Sequence, residues 1–98
     1  MKRIFLQRSI FDANRLLQLL TEAGFQFIEN GDQEGQSPEM LGAWFDHVPP
    51  PWGLYLDQRP NRQWSIYPGP VPTSEDPGEI KTLEFSTLIL EDIQWLKN

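Results

Sequence analysis

Cysteine is absent from this chain of 98 residues, which excludes disulfide bridges, a thiol nucleophile and thiolate metal ligands, and makes a reducing cytoplasm the default compartment. Histidine occurs once, as His47, so an imidazole-based metal centre has no second ligand of its kind. No apolar run approaches the roughly 20 residues of a membrane span. Ile4, Phe5 and Leu6 are too few to form the apolar stretch of a secretory signal. Neither export by that route nor insertion into a membrane is expected. Lys and Arg are missing from Leu16 to Gln58, where seven acids stand: Glu22, Glu29, Asp32, Glu34, Glu39, Asp46 and Asp57.

The net charge of -6 disfavours non-specific attraction to nucleic acid or to anionic lipid and favours a basic partner. The sign is unevenly placed: residues 1–15 sum to +3, 16–58 to -7, 59–73 to +2 and 74–98 to -4. Such asymmetry also suits contact between copies of the chain. With 39% hydrophobic and 22% charged residues the composition is that of a packed domain, and at this length a single domain over 1–98 is expected. A domain this small removes only about two-thirds of its surface from water, which leaves some aromatic side chains near the outside.

The aromatic side chains are concentrated between Trp44 and Pro72, where Trp44, Phe45, Trp52, Tyr55, Trp64 and Tyr67 stand among seven prolines. Large rigid side chains on a backbone with little freedom lose little entropy on docking, and binding hot spots are rich in Trp, Tyr and Arg.

Hydrophobic periodicity predicts the elements. Residues 2–7 read as a short strand. Ser9 and Asp12 resemble a capping box before an amphipathic helix with Ala13, Leu16, Leu17, Leu19, Leu20 and Ala23 on one side, ended by Gly24. A strand follows over 25–29, stopped by Asn30-Gly31, then a solvated loop over 31–36. Ser37 and Pro38 open a short helix that must finish by Val48. Pro49, Pro50 and Pro51 predict an extended left-handed segment that sets Trp52 at a fixed distance from it.

Two strands over 53–58 and 63–68 form a hairpin through Arg59-Pro60-Asn61-Arg62. With two central turn residues, facing positions sum to 121, which puts Tyr55, Asp57, Trp64 and Ile66 on one face and Leu54, Leu56, Ser65 and Tyr67 on the other. A strand over 81–86 and a helix from Thr87, with Leu88, Ile89, Ile93 and Leu96 inward, complete the chain. The order β-α-β-α-β-β-β-α makes an α+β domain with a mainly antiparallel sheet and two or three helices on one side.

Sites of chemistry are not apparent. Asp46 and His47 diverge by about 100° on a helix and cannot readily share an ion. The serines lack nucleophile-elbow spacing, the glycines form no phosphate loop, and a carboxylate pair for glycoside hydrolysis needs a cleft that this length hardly provides. Arg59 and Arg62 beside Trp64 and Tyr55 imitate a base-stacking platform, opposed by the acidic stretch that leads into the same hairpin.

No catalysis, cofactor or metal is therefore expected. The expectation is a cytoplasmic, non-catalytic binding or regulatory protein, such as an inhibitor, an immunity-type protein, a phage-encoded modulator or an accessory subunit. It would present Trp52, Tyr55, Asp57, Trp64, Asp46, Glu39, Arg59 and Arg62 to a basic protein. The second reading is a homo-oligomeric scaffold component; a small enzyme or a single-strand nucleic-acid binder ranks lower.

Overall fold

The computed structural model describes residues 2–7, 9, 12–25, 46–59, 62–75 and 78–97. Ile4, Phe5 and Leu6 are three consecutive side chains at 0% exposure, which requires a strand covered on both faces. They lie in β1 (Lys2–Gln7), an interior strand. On one side β1 pairs antiparallel with β2 (Gly53–Arg59), which in turn pairs antiparallel with β3 (Gln63–Gly69). On the other side it pairs parallel with β4 (Glu79–Glu84), giving the strand order β3-β2-β1-β4.

Helices α1 (Ala13–Glu22) and α2 (Leu90–Lys97) supply Leu16, Leu20, Ile93 and Leu96 to a core shared with Ile4, Leu6, Leu54, Leu56, Trp64 and Ile66. The described elements run β-α-β-β-β-α, an α+β fold with a mostly antiparallel sheet, as the sequence predicts. The strand expected over 25–29 and most of the helix expected over 37–48 lie outside the described residues. Of these, Phe25 is buried, and Asp46 and His47 have helical backbone.

The caps explain where each helix begins and ends. Asp12, not Ser9, caps α1: its Oδ1 accepts the backbone N–H groups of Asn14 (3.1 Å) and Arg15 (3.3 Å). Ser9 Oγ instead accepts the N–H of Ser86 at 2.8 Å, which ties the approach to α1 to the 3-10 turn Phe85–Thr87 after β4. The guanidinium of Arg15 donates to the carbonyl of Leu88 across the same gap. Gly24, at φ +90°, ends α1 with Gly24 N–H bonded to Thr21 and Phe25 N–H bonded to Leu20, each at 3.0 Å. Lys97 Nζ donates to Ala23 O (2.7 Å), adding a cation at the negative end of that helix.

The carboxyl-terminal segment resolves as strand then helix, the strand earlier (79–84 rather than 81–86) and the helix later than the sequence suggests. The helix begins at Leu90 rather than Thr87, because Asp92 reaches back to accept the N–H of Ile89 at 3.1 Å. Ile89 is thus the cap residue and is 47% exposed, while Leu88, Ile93 and Leu96 point inward. The other carboxylate oxygen of Asp92 pairs with Lys81 Nζ at 2.9 Å. Lys81 and Lys2 also stand over the ring of half-buried Trp95, at 5.2 and 5.3 Å from its centroid. The side-chain nitrogen of Gln58, oriented toward the last turn of α2, donates to Leu96 O (2.9 Å) and Lys97 O (3.0 Å).

The hairpin register departs from expectation by one residue. Arg59 pairs with Gln63 and Gly53 with Gly69, so facing positions sum to 122 and three residues, 60–62, form the connection. Arg62 takes φ +60°, the left-handed conformation that closes three-residue hairpin loops. A slip of one moves every side chain of β3 to the other face relative to β2. Trp64 and Ile66 therefore join Leu54 and Leu56 against the helices, while Tyr67 joins Tyr55 and Asp57 on the opposite face.

Asp92→Ala removes a cap and the partner of Lys81 together. Urea denaturation should show a loss of about 2 kcal/mol. Lys81→Met, at the more exposed end of the pair, should cost less than about 1 kcal/mol.

Candidate interaction surface

Gly53 opposite Gly69 is the last rung of the hairpin, so Trp52 and Pro70 leave the ladder side by side. Both positions of this rung require glycine: a Cβ at Gly53 would meet the carbonyl of Leu6 and lie 2.8 Å from the Phe5 ring, and one at Gly69 would lie 2.7 Å from the Tyr55 ring. Just outside this packed end, residues 49–52 form a turn in which Trp52 N–H donates to Pro49 O at 2.7 Å and the Pro50–Pro51 peptide is cis. The extended left-handed segment expected from the three prolines is therefore not present. The hydrogen bond folds the run back and holds the backbone of Trp52 at the turn's end.

The side chain of Trp52 stays 40% exposed. Pro49, Pro50, Pro51, Pro68, Pro70 and Val71 around the hairpin end are exposed as well. A shallow depression of about 170 Å³ runs between Trp52, Pro49, Pro68, His47 and Val48. Asp46 and His47, both exposed, bring polar groups to its border. Six exposed apolar residues beside an exposed indole form the kind of patch that marks contact with another molecule.

The other residues singled out in the sequence have different places. Trp64, 2% exposed, is core and is corrected from candidate contact to packing residue. Tyr55 and Asp57 are likewise corrected: both are buried, on the sheet face opposite the helices. Tyr55 packs on Phe5 (ring centroids 4.9 Å apart) and stacks on Tyr67 (5.5 Å, 16° between planes), and its hydroxyl donates to Pro70 O at 2.6 Å. Asp57, 7% exposed, accepts from Tyr67 Oη at 2.8 Å through Oδ2, and its Oδ1 lies 3.7 Å from Arg3 Nε. That separation is an ion pair without a hydrogen bond, and neither Oδ1 nor Nε has a hydrogen-bond partner. The Arg3 guanidinium also stands 5.7 Å from the Tyr55 ring centroid.

Arg59 and Arg62 are exposed at the hairpin tip, but Trp64 and Tyr55 lie on opposite faces, so the four residues do not assemble a base-stacking platform. Glu39 lies outside the described residues. Among the described residues no three of His, Asp and Glu are grouped to hold a metal ion. Among the described residues no helix is long and apolar enough to cross a membrane.

Sequence reasoning missed Arg3 and Tyr67 as the partners of Asp57, and Pro68, Pro70 and Val71 as neighbours of Trp52. Loop length was the signal for Tyr67 and Pro70, since the 122 register alone sets Tyr67 beside Tyr55 and Pro70 beside Trp52, whereas Arg3 is set opposite Asp57 by the pairing of β1 with β2. No family model matches the chain, and neither a curated protein nor a solved structure is similar to it.

Burial, the hydrogen bond to Asp57 and the negative charge of Asp57 push the Tyr67 hydroxyl up to about 12 from its ordinary 10.0. A pKa raised on folding gives stability that is complete below the unfolded value and lost as pH rises toward the folded one. Wild type should therefore lose stability between about pH 10 and about pH 12, and Tyr67→Phe should lack this component. Below that window Tyr67→Phe should be the less stable by about 1–3 kcal/mol, because Asp57 loses its one hydrogen bond. Denaturation of the two proteins at a series of pH values checks both signs.

Proposed function

We propose that this chain is a non-catalytic binding or regulatory protein that recognises a basic protein through the Trp52 turn and the prolines around it. The observation that carries the reading is that Trp52 is held by a backbone hydrogen bond to Pro49 while its ring remains exposed. An indole fixed in this way docks with little loss of freedom, the property that distinguishes interface anchors from incidental surface aromatics. The net charge of -6 supports a partner of opposite sign, with electrostatics speeding the encounter and the apolar patch setting the residence time. Asp46, exposed and next in sequence to His47 of the depression, is the described acid assigned to meet a Lys or Arg of that partner.

Assembly of copies by strand pairing finds less support at the sheet's edges. Outer strand β3 contains Pro68, which has no N–H to offer, and outer strand β4 carries Glu79, Lys81 and Glu84. Both are devices that discourage an added strand.

Affinity capture from the native cell, with the retained protein identified by mass spectrometry, tests the reading. Wild type should retain a basic protein, Trp52→Ala should weaken retention by about tenfold or more, and Asp46→Lys should make it weaker and less sensitive to salt. Retention unaffected by Trp52→Ala, enrichment of nucleic acid, or a mass in dilute solution showing only self-association would contradict it.

A further inference from the structure

A second depression lies toward the tip of the hairpin, away from Trp52, on the helix side of the sheet. Leu17, Leu20 and Thr21 of α1 line it with Phe25 and Trp64, and it encloses about 170 Å³. Cavities of about 150 Å³ with an apolar lining accept a benzene-sized ring. Among the described residues the lining is apolar except for Thr21, whose hydroxyl donates to Leu17 O at 2.9 Å.

Two cations converge at Gly24, next in sequence to Phe25 of this lining. The Cβ position of Gly24, the residue before Phe25, is 3.1 Å from Lys97 Nζ and 3.9 Å from Arg62 Nη1. Lys97 engages one proton with Ala23 O and keeps two. Arg62 is exposed, and no hydrogen bond or ion pair joins it to a described residue. Several carbonyls at the helix ends nearby already accept hydrogen bonds. Leu20, Thr21 and Ala23 accept from Phe25, Gly24 and Lys97, and Leu96 and Lys97 accept from Gln58.

An apolar hollow the size of one ring, with the Arg62 guanidinium and the Lys97 ammonium next to Gly24, the residue before Phe25 of its lining, is complementary to one kind of molecule. We propose that it binds a small carboxylate with a ring-sized apolar body. The ring lies against Phe25 and Trp64, and the carboxylate is held by Arg62 and Lys97 in charge-assisted hydrogen bonds. This site is independent of the Trp52 surface, and a ligand bound here would leave that surface free.

Titration of the isotopically labelled full chain with 3-phenylpropionate tests the proposal, with the neutral amide of the same compound as control. Saturable chemical-shift changes are expected at Leu17, Leu20, Phe25 and the Trp64 indole N–H. The amide, and Arg62→Gln with the carboxylate, should each bind about tenfold more weakly. Thr21→Phe, an exposed position on the lining, should block binding by filling the hollow, and Trp52→Ala should leave it unchanged. Absence of saturation, equal binding of acid and amide, or full affinity in Arg62→Gln would overturn the assignment, and the Arg62 comparison stands even if Thr21→Phe does not fold.

Discussion

Complete burial of Ile4, Phe5 and Leu6 at the centre of β1 is the constraint on which the structure depends. Ile4 and Leu6 look toward the helices and Phe5 looks the other way, so the strand is stable only if both faces of the sheet are covered. The two basic residues of β1 leave on opposite sides and each meets a different network. Lys2 reaches the ring and the carbonyl of Trp95 in α2, and Arg3 reaches Asp57 and the ring of Tyr55. The strand therefore fixes α2 on one face and the tyrosine cluster on the other. The glycines at the open end of the hairpin serve the same strand, since the Phe5 ring and the Leu6 carbonyl occupy the space a side chain at Gly53 would need.

The hairpin register divides the aromatic residues into two groups. A three-residue connection ending at left-handed Arg62 sends Trp64 and Ile66 into the core and leaves Tyr55, Tyr67 and Asp57 on the far face. Trp52, just beyond the last rung, belongs to neither group and remains accessible. Aromatic density in this stretch thus has three distinct origins: core packing, a buried ion-pair network and an exposed turn. The acidic stretch divides similarly, because Asp57 is internal while Glu22 and Asp46 face solvent.

Much of the fold was legible in the sequence because local signals and tertiary packing agree. The leucine spacing and Gly24 gave α1 and its end, the turn Arg59-Pro60-Asn61-Arg62 between two strand-length segments gave the hairpin, and Ile93 and Leu96 gave the inner face of α2. The failures fall where a single hydrogen bond decides between near-equal local options. Asp12 displaces Ser9 as cap, Asp92 moves the start of α2 to Leu90, and Trp52 N–H folds three prolines into a turn. Loop length was the costliest error, since one residue in the connection exchanges the faces of β3 and with them the assignment of Trp64 and Tyr67. Sequence could set Trp52 apart from the core through its prolines, but it could not show that Asp57 is internal, because that rests on Arg3 and Tyr67 from two other strands.

The central claim is a division of labour in which Asp57 belongs to the folded interior and Trp52 to the surface available for recognition. Thermal unfolding of Asp57→Lys beside Trp52→Lys tests it most directly. A lysine at position 57 would face Arg3 in a buried site and should cost about 3 kcal/mol or more. A lysine at position 52 should leave the midpoint within a few degrees of wild type, corresponding to about 0.5 kcal/mol. A protein that tolerates Asp57→Lys and unfolds with Trp52→Lys would contradict the account.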